Sequence, residues 1–515
     1  MFSALKSLAR LFRIARTLAE HDALFPLERL GVAPVVVTVA KLLARYFSKP
    51  DVEGRPGQRL AMAFEALGPS FIKLGQALSV RSDLIGEDIA ADLSALQDDL
   101  PPFSGALSRE IIEAELGGPI ADFFAEFDDT AIAAASIAQV HFAVTTDGES
   151  VAVKVLRPDV EASFQQDIDL GLWLARMLER TRPSLRRLRP VEVVRTFESS
   201  VVTEMDLRLE AAAASELAVN FEGDPNFQPP KIDWIRTARR VLTQERIEGV
   251  RIDDLDALRA AGAVAGFEPH DVLRNAAEAF FNQVFRDGFF HADMHPGNMF
   301  VSYDGMLRPV DFGIMGRLDR KTRIYLADML TGFLDRDYRR VAEVHFEAGY
   351  VPRHKSIDGF TQALRAIGEP ILGRPLHEIS LARLLAQLFQ VTKTYEMETQ
   401  PQLLLLQKTM LLAEGVGRML DPEVNMWLLA QPLIENWMWE NRGPEARLRD
   451  AVGDAMSGLE RLPQLVRKAE AAVDALSADH TSRIGGEWSQ SRGRPSRWVV
   501  QCLILIALIV LVAKM

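Results

Sequence analysis

The amino-acid sequence predicts an α+β fold of two lobes, with a helical extension before it and a transmembrane anchor behind it. Two observations carry the lobes. Residues 123–156 and 240–245 read as short strands joined by turns, and residues 289–316 read as further strands around a Tyr-Asp-Gly turn. Residues 55–105, 160–220, 270–287 and 322–440 are patterned as helices, so the two types are segregated along the chain rather than alternating. A third observation carries the anchor: residues 498–513, WVVQCLILIALIVLVA, hold only Gln501 as a polar side chain.

Composition bounds the function. At 515 residues with 48% hydrophobic side chains, the chain is long enough for about two or three domains with a large core. A formal net charge of −12, with no basic stripe interleaved with aromatics, argues against nucleic acid as a partner. The single cysteine, Cys502, excludes a disulfide framework or thiolate metal cluster and fits a reducing compartment. No H-E-x-x-H and no G-x-G-x-x-G occurs, so a zinc protease or a Rossmann-type flavin or nicotinamide enzyme has no support.

Residues 1–54 open with a basic amphipathic helix. Phe2, Leu5, Leu8, Phe12 and Ala15 form its apolar stripe, Lys6, Arg10, Arg13 and Arg16 carry charge, and no acid precedes Glu20. A helix packed on the domain behind it, a membrane-surface helix and a mitochondrial transit peptide all fit this pattern. Residues 55–122 form a helical extension containing GPSFIKLGQ at 68–76. Pro69 suits a first helical position, and Phe71, Leu74 and Leu78 share one apolar face, placing Lys73 and Gln76 on another. Gly75 inside a helix costs about 1 kcal/mol relative to alanine, which points to a close approach there.

Residues 123–248 form the first lobe. Ile132, Ala133, Ala134, Ala135, Ser136, Ile137, Ala138, Gln139 and Val140 lead into a strand, a Thr-Asp-Gly-Glu turn and a second strand, Val151-Ala152-Val153-Lys154-Val155. V-A-V-K is the protein-kinase strand whose lysine holds the α- and β-phosphates of ATP. The preceding loop lies in register with the glycine-rich G-x-G-x-x-G-x-V, but Ala133, Ala135 and Ala138 stand where the glycines would be. Alanine restricts φ and adds methyl groups where backbone meets phosphate, so the loop reads as a stiffened nucleotide cover. Further on, 203–212 reads as one helix with three acids, Asp206 and Glu210 sharing a face at i, i+4 and Glu204 projecting elsewhere. Glu248 and Gly249 read as a hinge to the second lobe, residues 249–440.

The chemistry is densest at 289–316, FFHADMHPGNMFVSYDGMLRPVDFGIMG. Asp293 and Asn298 are five apart, and Asn298 and Asp311 thirteen apart. Protein kinases space their catalytic Asp, their metal-binding Asn and their D-F-G Asp in this order. Phosphoryl transfer needs these types: one Asp to orient or deprotonate the attacking hydroxyl, an Asn and a second Asp to offer hard oxygens to Mg²⁺. Two departures stand out. His295 occupies the position where protein kinases usually carry a lysine that touches the transferred phosphate. After Gly313 the chain runs IMGRLDRKTRIYL into a helix, with no A-P-E and no platform for an extended peptide.

Residues 55–440 resemble the UbiB family of atypical protein-kinase-like proteins that support ubiquinone biosynthesis. The resemblance is carried by PSFIKLGQALSVRSDL, AAASIAQVH, VAVKVLRP, EMDLRLEAAA, HADMHPGNMF, VDFG and LLAEGVGRMLDP. It implies an atypical kinase-like fold, with Lys154 on phosphate and paired with Glu210, Asp293 as catalytic Asp, and Asn298 and Asp311 as Mg²⁺ ligands. It also implies that Lys73 and Gln76, with Glu204 and Asp206, fold the extension over the cleft as gating elements. Expected cofactors and partners are Mg²⁺, ATP as substrate, membrane lipid, ubiquinone precursors and other ubiquinone-biosynthesis proteins. A small-molecule or lipid kinase, and a nucleotide-sensing, lipid-binding scaffold without required turnover, are the alternatives to an ATPase.

Trp427, Trp437 and Trp439 close the second lobe and read as core. Residues 441–497 read as a linker with one helix. The sixteen residues at 498–513 span about 24 Å as a helix, short of a roughly 30 Å hydrocarbon core, and Arg497 and Lys514 are placed to snorkel. Arg492, Arg494 and Arg497 put the catalytic body on the cytoplasmic side of a bacterial inner membrane.

Overall fold

A computed structural model describes residues 2–24, 54–79, 85–93, 96, 100–181, 189–370, 390–392, 394–397, 400–423, 432–435 and 437–440. Trp427, the linker at 441–497 and the anchor at 498–513 lie outside the described residues. Among the described residues no helix is long and apolar enough to cross a membrane. The chain divides into two compact units, Met1–Met438 and Trp439–Met515, and the elements below belong to the first.

The helical extension comprises α1 (Phe2–Glu20), α2 (Pro56–Leu67), α3 (Pro69–Ser79) and α4 (Glu87–Leu93). Leu60, Phe64, Leu67, Ile89, Leu93 and Leu96 form its core. α1 joins that core through Ile14 and Leu18. Phe12, expected on the apolar stripe, is instead 51% exposed. The sequence shows which residues are apolar, but the partner decides which face is covered. Arg10 of α1 makes a two-pronged ion pair with Asp167, both distances 2.7 Å.

On α3 Phe71 and Leu78 pack half-buried against that core as expected, and Ser70, Ile72 and Gly75 are buried as well, so the covered face is wider than the expected one. Gly75 marks the closest approach of α3 to that core. A Cβ there would lie 2.3 Å from Leu96 Cδ1 and 2.8 Å from the Phe64 ring. Gly75→Ala would gain about 1 kcal/mol of helix propensity but lose about 1–3 kcal/mol to overpacking. The overlap with an aromatic ring decides the sign, and a net loss near 1 kcal/mol is expected in thermal unfolding. A variant as stable as wild type would show that the contact relaxes freely.

The first lobe is an antiparallel sheet of β1 (Phe124–Phe127), β2 (Ala133–Ala134), β3 (Ala138–Thr145), β4 (Ser150–Leu156) and β5 (Val241–Glu245). The order is β1-β3-β4-β5, with β2 folded back on β3. The two-residue period of a strand sends Val151, Val153 and Val155 to one face. There they pack on Ile111 and Ile112 of α5 (Gly105–Leu116), a helix capped by Ser104 and by left-handed Gly117. The other face meets α6 (Val160–Thr181), α7 (Pro190–Glu204) and α8 (Leu207–Asn220), with Phe164, Val201, Leu207 and Ala211 in its core.

Residues 203–212 are not one helix. α7 stops at Glu204, and Asp206 is the N-cap of α8, its carboxylate accepting from the Arg208 N–H at 3.2 Å. The expected shared face of Asp206 and Glu210 is therefore corrected: a short acid competes for backbone donors and favours a cap over a helix interior.

The second lobe contains β6 (Val250–Arg251), α9 (Leu255–Ala265), α10 (Pro269–Phe281), β7 (Phe289–His291), β8 (Met299–Val301), β9 (Leu307–Pro309) and β10 (Met315–Arg317). Then follow α11 (Arg320–Leu334), α12 (Tyr338–Glu347), α13 (Ile357–Gly368) and α14 (Pro401–Leu420). The strands pair antiparallel as β10-β7 and β6-β8-β9. Between α10 and β7, residues Asn282–Asp287 form a π-helical turn. Trp437 is buried against Phe285, with ring centroids 5.6 Å apart. Trp439, expected in the core, is 75% exposed.

Candidate active site

Strand β4 delivers Lys154 opposite Val140 and Leu242, on the face turned away from Val153 and Val155. α8 carries Glu210 on its buried face with Leu207, Ala211, Ala214 and Leu217. The Lys154 Nζ donates to Glu210 Oε1 at 2.7 Å and Oε2 at 3.0 Å, and to Asp311 Oδ1 at 3.2 Å. Burial works against this ammonium, but the two carboxylates outweigh it and hold its pKa above the ordinary lysine value. The Lys154 ammonium in turn, against burial and with help from Lys73, holds Asp311 well below the usual carboxylate range. One ammonium faces two carboxylates, so the cluster can accept a further cation.

Asp311 has φ +61°, in the left-handed region that Asp and Asn enter more readily than most residues. Phe312 after it is buried beside the His291 ring, 5.5 Å between centroids. His291 is itself buried, and burial holds its imidazole below the ordinary histidine pKa. Its Nε2 lies 3.2 Å from the Val310 carbonyl, and its Nδ1 accepts the Asp293 N–H at 3.1 Å. This neutral ring therefore ties the loop of Asp293 to the strand leading to Asp311. The Gln283 side chain, aimed by the π-helical turn, accepts the His291 N–H at 2.9 Å. Asn298 Nδ2 donates to the Asp293 carbonyl at 3.1 Å, which leaves Oδ1 as the amide atom turned to other uses.

The alanine-rich segment is a closed hairpin. Ala133 pairs with Val140 and Ala134 with Gln139, and the Ala135 N–H donates to the Ala138 carbonyl at 2.8 Å. No residue of 132–140 has a positive φ, so this loop does not need glycine for its path. Arg157 straps it down: its Nε donates to Ala135 O at 2.9 Å while its Nη atoms reach Pro101 O and Leu100 O. Gln139 is fully buried and engaged, accepting from Phe103 N–H and donating to Ser108 Oγ, both at 2.9 Å. Ile137 and Ala138 are buried with it, whereas Ile132 and Ala133 are exposed. Ser136 Oγ is buried without a hydrogen-bond partner among the described residues.

The extension reaches the same region. Lys73 Nζ lies 3.2 Å from Glu204 Oε2, with both side chains largely covered. Gln76 is half-buried one turn along α3, its carbonyl accepting from Ser79 Oγ at 2.7 Å. Asp206, expected beside Lys73, gives its carboxylate to Arg208 at 2.6–2.8 Å.

Sequence reasoning missed Lys408. Its Nζ donates to Asp293 Oδ1 at 2.7 Å from α14, 115 residues away along the chain. The available signal was a lone lysine inside the apolar run LLLLQKTMLL at 403–412.

This chain matches the ABC1 atypical kinase-like domain over residues 95–345 and the UbiB helical domain over residues 364–425. A Marinobacter nauticus protein named "Probable protein kinase UbiB" is 44% identical over 471 residues, 90% of this chain and 85% of that protein. One of the same name from Pseudomonas paraeruginosa is 42% identical over 490 residues, 94% of this chain and 90% of that protein. Among solved structures, the complex of Rv3197 with erythromycin from Mycobacterium tuberculosis superposes with a TM-score of 0.52 at 25% identity. It covers 78% of this chain and 98% of that one. By the identity and reach of these matches, the chain belongs to the UbiB family and has its atypical kinase-like fold.

Proposed function

We propose that the chain is a membrane-anchored atypical kinase or ATPase that binds Mg²⁺ and ATP and supports ubiquinone biosynthesis. The observation that carries this reading is the Lys154 ammonium held between Glu210 and Asp311. The donor set fits a magnesium nucleotide. Asn298 Oδ1 and the ionised Asp311 offer hard oxygens. Among the described residues no group of three or more His, Cys, Asp or Glu side chains is placed to hold a metal. An ion here would complete its shell with phosphate oxygens and water, as Mg²⁺ does. When bound, Mg²⁺ neutralises charge on the triphosphate. Lys154 then orients the α- and β-phosphates, the Ala133–Ala138 hairpin limits water above them, and Asp293 accepts the proton of the attacking hydroxyl.

Only six residues separate Gly313 from α11, and β10, paired with β7, occupies three of them. That leaves little chain for a peptide-binding platform, which favours water, a small molecule or a lipid as acceptor. Membrane attachment rests on residues 498–513 and the basic α1. The test is γ-labelled ATP given to the full-length chain in anionic membranes. Label in free phosphate supports an ATPase, and label in an extractable small molecule or lipid supports a kinase. Bound nucleotide with no label moved would replace both with a scaffold.

Lys73, beside Glu204 and near enough to influence Asp311, is proposed to hold the extension across this cleft. Lys73→Ala is expected to change MgATP affinity several-fold, about 1 kcal/mol, and to let label appear on the chain itself. Glu204→Ala should behave alike and the double variant should be non-additive. Wild-type affinity with no self-labelling would remove the gating role.

A further inference from the structure

We propose that Lys408 is a catalytic residue, supplied by α14, that contacts the phosphoryl group during transfer. The proposal deepens the nucleotide reading above and rests on it. Lys408 Nζ already lies 2.7 Å from Asp293 Oδ1, the carboxylate beside which the attacking hydroxyl must sit. An ammonium has three donors, so one bond to Asp293 leaves two for phosphoryl oxygens.

The rest of the site has a place for this charge. The loop at 291–298, HADMHPGN, contains no lysine or arginine. His295 is occupied with its own turn, its Nδ1 accepting the Gly297 N–H at 3.0 Å. Lys154, paired with Glu210 and Asp311, is the cation assigned above to the α- and β-phosphates rather than to the group in transfer. Lys408 is therefore the ammonium that the described structure places on Asp293.

α14 is held firmly enough to position it. Leu406, Val416 and Leu420 share one core with Phe289, Phe290, Ala292 and Met294, the residues flanking Asp293. Thr409, next to Lys408, is fully buried and donates to the Leu405 carbonyl at 2.9 Å. The pair itself is not sealed, with Lys408 31% and Asp293 26% exposed, so a ligand can reach it.

In the transfer, the acceptor oxygen bonds to the γ-phosphorus while the bond from that phosphorus to the β,γ-bridging oxygen breaks. The electron pair of the broken bond leaves with ADP, and the acceptor's proton passes to Asp293. Lys408 stays protonated throughout. It orients the Asp293 carboxylate and offers donors to the equatorial oxygens, where charge gathers in the transition state. A lysine so placed strengthens transfer more than ground-state binding.

The test uses the full-length chain with Lys408→Ala and Lys408→Arg, and Lys408→Gln in place of the alanine variant if that one unfolds. MgADP affinity is measured with and without aluminium fluoride, a mimic of the phosphoryl group in transfer, beside kcat and KM for MgATP. Lys408→Ala should bind MgADP within about threefold of wild type, yet lose about 100-fold in kcat and in fluoride-dependent tightening. Lys408→Arg, which keeps the charge, should recover much of both. If Lys408→Ala gains as much from fluoride as wild type, or loses MgADP affinity to the same degree, the proposal is overturned while the nucleotide site stands. A wild-type chain that binds no MgADP overturns the nucleotide reading, and this one with it.

Discussion

Lys154→Met is expected to give the largest loss in this protein, in stability and in nucleotide binding together. It removes the ammonium that bridges the Glu210 and Asp311 carboxylates, and Glu210 is only 9% exposed. Breaking a covered ion pair from one side costs about 3–5 kcal/mol, because the remaining charge stays desolvated. At roughly 1 °C per kcal/mol for a unit as large as Met1–Met438, the melting temperature should fall by about 3–5 °C. MgATP binding should disappear over the accessible range, since the phosphate-facing cation is gone. Adding Glu210→Gln should restore part of the stability, because no buried carboxylate is then left unpaired, but none of the binding. A Lys154→Met chain that melts with the wild type would refute the buried pair.

Asp311→Asn should separate binding from folding. Asn tolerates the left-handed backbone at φ +61° as well as Asp does, so the local path survives. What is lost is an anionic oxygen for the metal, and MgATP affinity should fall by about 100-fold or more. The same change removes a pH dependence. Asp311 has its pKa lowered in the folded chain by Lys154, then Lys73. Its contribution to stability is therefore present above the ordinary carboxylate pKa, about 4, and is lost as pH falls through the depressed folded value. Wild-type stability should drop more steeply than that of Asp311→Asn through that acid window. Equal MgATP affinity in the two chains would take Asp311 out of the metal site.

The parts of this site that were legible in sequence are those written in short local patterns. Asp293, Asn298 and Asp311 lie on one strand-turn-strand segment, where spacing translates almost directly into position. Lys154 was legible for the same reason, since a two-residue period fixes which strand face it takes. Asp206 was misread because a helix interior and a helix cap look alike until the break at Met205 is seen. Phe12 of α1 was misread because Phe12 and Ile14 are equally apolar in sequence, and only the neighbours in the helical extension decide between them. Lys408 was not legible at all. Its relation to Asp293 depends on how a distant helix docks, and no local period carries that information.

The claim that the cleft at Lys154 and Asp311 binds a magnesium nucleotide is tested most directly by the melting temperature of the full-length chain with ATP, with and without Mg²⁺. At about 100-fold excess over Kd a ligand adds about 2.7 kcal/mol, so for a unit as large as Met1–Met438 a rise of about 3 °C is expected with both present. ATP without Mg²⁺ should give much less, and Asp311→Asn should show no rise with either. An unchanged melting temperature for the wild type at millimolar MgATP would contradict the account.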